Sequence, residues 1–197
     1  MYTVIIIPGL GDGVKLMEYA TRHFRFSGLS PLVYSVGWRD DERSFTPKLT
    51  RLVGLIDELH EKGKTVSLIG TSAGGSAAIN AFIERRDSIH RVINVCGRLR
   101  VGPTTGLWSF GDKTKTSPSF ADSVMMCERH QKSLTDTDLK RVMTIAPLFD
   151  EMVPRETVGV KGAHNIQIPT IEHVLSISLA MTILSYRLTS FLKEEIR

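Results

Sequence analysis

Residues 65–79 read Thr65-Val66-Ser67-Leu68-Ile69-Gly70-Thr71-Ser72-Ala73-Gly74-Gly75-Ser76-Ala77-Ala78-Ile79. An apolar β-branched run is followed by a glycine-flanked serine and an alanine-rich stretch, the signature of a buried strand, one sharp turn and a helix. The turn spells G-x-S-x-G, the pattern of a nucleophile elbow. Small residues are required at Gly70 and Gly74 because Cβ atoms on either side of so tight a turn would collide. The serine is thereby held in a strained backbone conformation that lifts its hydroxyl off the sheet. The plain alternative is a glycine-rich strand-to-helix turn with an exposed serine. The flanking strand and helix favour the elbow, with Ser72 as the candidate nucleophile.

The chain outward from this stretch alternates strands and helices. Short Val/Ile runs predict strands at Thr3–Ile7, Leu32–Val36, Val66–Ile69, Arg91–Val95, Arg141–Ala146 and Asn165–Ile168. Helices are predicted at Val14–Phe26, from Thr46-Pro47 to Gly63, at Ala73–Arg85 and from about His173 onward, with Thr46 as N-cap and Pro47 at the first helical position. Strands that are apolar on both faces and separated by helices specify a parallel sheet covered on both sides. The fold class is therefore α/β, with about six mostly parallel strands and helices on both faces. A length of 197 residues with 42% hydrophobic content supports one well-buried domain, 1–197, rather than two. One segment breaks the alternation. Gly97–Asp138 is rich in Gly, Pro, Ser and Thr, with a helix predicted only around Ser119–His130. It leaves the sheet at the C-terminal end of the fourth strand, where open α/β sheets bind ligands, and reads as a lid-like excursion. Trp108, Phe110, Phe120, Met125 and Met126 are candidates to line an apolar substrate pocket there. For each of them ordinary packing onto the body is the simpler reading.

Several function classes are disfavoured. The net charge of +4 is spread along the chain without a Lys/Arg block or aromatic-basic stripe, so nucleic acid is not an expected partner. A basic bias can draw in an anionic substrate or membrane surface, but a solvated face explains it more simply. The two cysteines, Cys96 and Cys127, provide neither a disulfide framework nor a zinc site, and no metal is expected. Val4–Ile7 is too short for a signal segment. His173–Leu192 is interrupted by Ser176, Ser178, Thr182, Ser185 and Arg187, so stable membrane insertion is not expected and the protein is placed in the cytoplasm. The glycines of Pro8-Gly9-Leu10-Gly11-Asp12-Gly13 fit neither phosphate-binding fingerprint, since Lys15 is followed by Leu16 and position 14 is Val14.

Partners for Ser72 are expected at the C-terminal ends of later strands, in the order acid then histidine. Asp150 follows the fifth strand through Pro147-Leu148-Phe149, and it would fix a histidine tautomer and stabilise the imidazolium. A loop or helix-capping role is the alternative, and Glu151 is the nearest competitor. Of the two later histidines, His164 precedes the sixth strand and His173 follows it, so His173 is the candidate general base. Its alternative is simply the N-terminal residue of the last helix. His23, His60, His90 and His130 read as surface residues. Backbone N–H groups of Ala73, after the nucleophile, and of Leu10, after the first strand, are the candidate oxyanion donors.

These residues carry a family resemblance. The chain resembles the α/β-hydrolase superfamily, and within it the small, six-stranded bacterial lipases and esterases, over nearly its whole length. Gly162-Ala163-His164-Asn165-Ile166-Gln167-Ile168, leading to His173, is similar to the G-A-x-N-x-x-I segment of those lipases. Asp150-Glu151-Met152-Val153 resembles their segment beginning with the catalytic aspartate. The resemblance implies a Ser72–His173–Asp150 triad, a Leu10/Ala73 oxyanion hole, a small-molecule ester or acyl substrate, two-step acyl transfer and no cofactor. Three departures stand out: Pro8-Gly9 replaces the family's His-Gly, Glu172 precedes the histidine where glycine is frequent, and Gly97–Asp138 is longer than in the smallest members. A thioesterase or other acyl hydrolase with the same triad, and a non-catalytic binding module on the same fold, are the alternatives. Acyl chain length and oligomeric state stay open.

Overall fold

A computed structural model describes residues 2–194. The first strand, β1 (Tyr2–Ile7), runs through a glycine-rich loop into α1 (Val14–Thr21), which tightens into a 3₁₀ turn over Arg22–Ser27. Then come β2 (Leu29–Val33), α2 (Thr46–Glu61), β3 (Thr65–Thr71), α3 (Ala73–Glu84) and β4 (Ile89–Val95). Beyond β4 lie α4 (Phe110–Thr114), α5 (Pro118–His130), α6 (Asp136–Leu139), β5 (Val142–Pro147), β6 (His164–Ile168), α7 (His173–Met181) and α8 (Ser185–Lys193).

The six strands form one sheet in the order β2-β1-β3-β4-β5-β6, and every neighbouring pair is parallel. From β1 the chain steps one way to β2, then crosses back over β1 to β3 and continues outward to β6. Right-handed crossovers require the helices of these opposite steps to lie on opposite faces. The packing obeys this. Ile5, Ile7, Val66, Leu68, Val92 and Val142 face a core shared with Leu52 and Ile56 of α2, Phe82 of α3 and Val124 of α5. Their alternates Val4, Ile6, Ile69, Ile93 and Ile145 face the opposite layer, where Phe24, Met181, Leu188 and Phe191 pack. The reversal of direction between β1 and β3 opens a crevice at their C-terminal ends, the place where a parallel sheet presents a ligand site.

Two local expectations need correction. The second strand is Leu29–Val33 rather than Leu32–Val36, so Ser30-Pro31 lies within the strand rather than before it. β2 is an edge strand paired only with β1, and a proline is accommodated where its missing N–H has no ladder partner to lose. The N-cap of α2 is Phe45 rather than Thr46, and the Phe45 N–H donates to Asp122 Oδ2 of α5 at 2.8 Å.

The segment 97–138 divides into two physically different parts. α5 is the covering helix between β4 and β5, joined to α3 by buried hydrogen bonds: Ser76 Oγ to Ser123 Oγ at 2.8 Å, and Asn80 Nδ2 to the Ser123 carbonyl at 2.9 Å. Phe120, Val124 and Cys127 are buried beneath it. The stretch before α5 is irregular and is organised by Arg98, whose buried guanidinium donates to the carbonyls of Arg100, Val101, Pro103 and Trp108. One side chain thus satisfies backbone acceptors that a strand ladder would otherwise pair. Among the described residues no single helix is long and apolar enough to cross a membrane, and α7 and α8 meet at a bend of 54°.

Backbones approach very closely where β3 turns into α3. A Cβ added to Gly70 would sit 2.2 Å from the Gly74 carbonyl oxygen, and one added to Gly74 would sit 2.0 Å from that of Ile7. Gly74→Ala is therefore expected to lower the unfolding free energy by about 3 kcal/mol or more, as measured by urea denaturation.

Candidate active site

Ser72 occupies the turn between β3 and α3 with φ +52° and ψ −122°, a conformation that costs a non-glycine residue about 1–3 kcal/mol. The surroundings hold it there. Its N–H donates to the Val95 carbonyl at 3.0 Å, its carbonyl accepts from Gly75 N at 2.9 Å, and the two glycine contacts above leave no room to relax. Its neighbours Thr71 and Ala73 are buried, whereas Ser72 itself is partly exposed. The loop after β1 presses on it from the other side, since a Cβ on Gly9 would lie 2.8 Å from the Ser72 Cβ.

His173 is the first residue of α7 and is buried, while Asp150 lies past the end of β5 and is likewise buried. His173 Nε2 lies 2.9 Å from Ser72 Oγ, and Nδ1 lies 2.7 Å from Asp150 Oδ2. With the proton on Nδ1, the ring donates to the carboxylate and Nε2 accepts from the serine hydroxyl. The second carboxylate oxygen, Oδ1, accepts the N–H groups of Met152 and Val153, each at 2.8 Å. Asp150 is therefore satisfied on both oxygens, and its orientation is fixed by its own loop.

Two glutamates hold the histidine's backbone. Glu151, the competitor for the acid position, accepts the His173 backbone N–H at 3.1 Å through Oε2. Glu172 caps α7, accepting from Val174 N at 3.0 Å and Leu175 N at 2.5 Å. These bonds, chiefly that from Leu175, hold its carboxyl below its ordinary value of 4.5. The departure from glycine at this position thus has a structural use. Neither role was anticipated, although a glutamate directly before an apolar run at a helix start is the signal that marks Glu172.

Of the remaining candidates, Ala73 opens α3, where the first N–H groups lack intrahelical partners. Leu10 follows Gly9 in the loop against Ser72, its side chain packed on the core. Trp108 donates its indole N–H to the Asp150 carbonyl at 2.8 Å and meets Phe149 edge-on at 6.0 Å. Phe110 is committed elsewhere, under the Arg98 guanidinium and against the core, and Phe120 and Met126 pack inward. Met125 is exposed on α5. Of the aromatic and methionine candidates, Trp108 is brought onto the aspartate's loop. His164 starts β6 with its ring against Phe191, and His23 and His90 are half-buried rather than surface residues. Cys96 lies behind the site with φ +54°. Burial, reinforced by the Asp150 charge, pushes its thiol far above the ordinary cysteine range, so it stays protonated. Among the described residues no group of three or more His, Cys, Asp or Glu side chains is arranged to hold a metal ion.

No protein-family model matches the chain, and no curated protein is significantly similar to it in sequence. Solved structures do match. A metagenome-derived lipolytic enzyme superposes with a TM-score of 0.69 at 11% identity, covering 98% of this chain and 94% of that one. A monoacylglycerol lipase from Paleococcus ferrophilus superposes with a TM-score of 0.66 at 18% identity, covering 96% and 94%. A hydrolase from Oleispira antarctica superposes with a TM-score of 0.67 at 12% identity, covering 98% and 92%. The chain has the α/β-hydrolase fold. In this fold the crevice between β1 and β3 contains the Ser72 turn, and the segments after β5 and β6 carry Asp150 and His173.

The Glu172 cap gives a pH-dependent expectation. Because the folded-state pKa is depressed, its stabilisation is present above 4.5 and is lost as pH falls through the lower folded value. Wild type is expected to melt above Glu172→Gln at neutral pH, with the difference shrinking on acidification below 4.5. Melting curves across that range measure it.

Proposed function

We propose that this chain is a serine carboxylic-ester hydrolase, with Ser72 as nucleophile, His173 as general base and acid, and Asp150 as the group that orients the imidazole and stabilises the imidazolium. The observation that carries this reading is the unbroken hydrogen-bond relay from Ser72 Oγ through both nitrogens of His173 to Asp150. The relay starts from a serine held in a strained turn. That combination has no evident use in a merely structural serine.

In the first step His173 Nε2 takes the hydroxyl proton as Oγ attacks the ester carbonyl. The resulting oxyanion is held by the amides of Leu10 and Ala73, and the imidazolium protonates the departing alcohol to leave an acyl-serine. Water then attacks the acyl-serine. His173 takes its proton and returns it to Oγ, releasing the carboxylic acid.

An apolar acyl group is the expected cargo. Leu148, Phe149 and Met152 flank Asp150, and Ile171, Val174 and Leu175 flank His173, all with exposed side chains. Exposed apolar side chains on the two segments that carry Asp150 and His173 are costly in water unless they meet apolar substrate. The lipolytic and monoacylglycerol-lipase descriptions of two structural neighbours agree with this class. Two free buried thiols, Cys96 and Cys127, fit a reducing compartment such as the cytoplasm.

A fluorophosphonate probe is expected to label wild type at Ser72 and to leave Ser72→Ala and His173→Ala unlabelled; an unlabelled, folded wild type would overturn the proposal. On a soluble p-nitrophenyl ester, Ser72→Ala is expected to lose about 10⁴- to 10⁶-fold in kcat. Asp150→Asn keeps an acceptor for Met152 and Val153 but favours the wrong imidazole tautomer, so it should lose about 10⁴-fold while remaining folded.

A further inference from the structure

The loop that carries Leu10 contains Gly9, Gly11 and Gly13. It presses closely on the elbow at Gly9, whereas a Cβ added at Gly11 or Gly13 would meet nothing within 4 Å. Such a backbone has little intrinsic reason to hold one conformation. Both of its ends are nevertheless bonded to one residue. Trp38 Nε1 donates to the Pro8 carbonyl at 3.2 Å, and the Trp38 backbone N–H donates to Asp12 Oδ2 at 2.9 Å. Between these points the loop closes on itself through Asp12 N to the Gly9 carbonyl at 2.9 Å, with Asp12 in the left-handed region at φ +44°.

Trp38 is a rigid anchor. It is 1% exposed, stacks on Phe45 at 5.9 Å and meets Phe120 edge-on at 5.8 Å. Its carbonyl accepts from Ser117 Oγ, the N-cap of α5, at 2.7 Å. Asp12 keeps its left-handed backbone with its other oxygen, Oδ1, buried and without a hydrogen-bond partner. Both features are unfavourable, and a fold retains them where the geometry they secure is worth more.

We propose that Trp38 and Asp12 are positioning residues that fix the loop Pro8–Gly13, and with it the Leu10 amide, against Ser72 in the geometry that receives the oxyanion. This rests on the ester-hydrolase reading. The clamp acts on the transition state rather than on substrate capture, because the amide it aims meets negative charge only once the tetrahedral intermediate forms.

The test compares Trp38→Phe, Asp12→Ala and Asp12→Asn with wild type, using steady-state hydrolysis of p-nitrophenyl butyrate, inhibition by butylboronic acid and thermal melting. Butylboronic acid adds to an active serine as a tetrahedral anion and so reports the oxyanion geometry directly. Trp38→Phe keeps an aromatic ring but removes the indole N–H and its bond to Pro8. Removal of a whole oxyanion donor costs about 10²- to 10³-fold, so its misalignment is expected to lower kcat about tenfold. KM should stay within about twofold and boronate affinity should fall in step with kcat. Asp12→Ala should behave alike, while Asp12→Asn, which retains an acceptor oxygen, should recover most of the loss. Unchanged kcat in Trp38→Phe and Asp12→Ala, or a fall in kcat with boronate affinity unaltered, would overturn the clamp. If Trp38→Phe does not fold, the Asp12→Ala and Asp12→Asn pair decides by the same criteria. A wild type that neither hydrolyses the ester nor reacts with the fluorophosphonate overturns the hydrolase reading itself, and the clamp with it.

Discussion

Everything at this site depends on the crossing of two backbones with no space between them. The end of β1 and the start of α3 touch at Gly74, whose missing Cβ would sit 2.0 Å from the Ile7 carbonyl oxygen. That contact sets how far α3 can approach the sheet, and so how sharply the chain must turn at Ser72. The positive φ of Ser72 follows from a helix packed this closely behind a strand, and the placing of its hydroxyl against His173 follows from that turn. The burial of both strand faces supplies the free energy that keeps the turn closed.

The histidine is held by a different logic. Its ring is positioned by the Asp150 carboxylate, while its backbone is positioned by Glu151 and by the start of a helix capped by Glu172. Asp150 is in turn held by N–H groups of its own loop, and Trp108 ties the carbonyl of that loop to the irregular stretch before α5. Arg98 gathers the carbonyls of the same stretch. A chain of hydrogen bonds between segments distant in sequence thus does for the loops what the sheet ladder does for the elbow.

The amino-acid sequence exposes the first kind of order better than the second. Short runs such as Val4–Ile7 and Val66–Ile69 announce buried strands because β-branched residues suit a sheet covered on both faces. Ser72, Asp150 and His173, singled out by their order relative to the strands, are side chains that meet in space. Pro31 falls inside β2 although proline is disfavoured in strands, and the edge position of β2 makes it acceptable there. Within Gly97–Asp138 the sequence announces α5, expected around Ser119–His130, but not α4 or α6, because five and four residues are too few to show a helical period. Trp38, Asp12 and Arg98 left no local signature. Each of their bonds has a backbone group on one side, and those joining Trp38 to Asp12 and Pro8 span 26 and 30 residues.

The relay has a consequence for how this molecule reports on itself. Ser72 and His173 are 101 positions apart and Asp150 precedes His173 by 23, so the three groups converge only after β3, β5, β6 and α7 are all docked. No contiguous fragment of the chain contains a working subset of the apparatus on fewer than three elements. Under the proposed hydrolase function, turnover is therefore a readout of global architecture. In a refolding experiment, activity should return with the slowest long-range docking event, while helix content can return earlier through local segments alone.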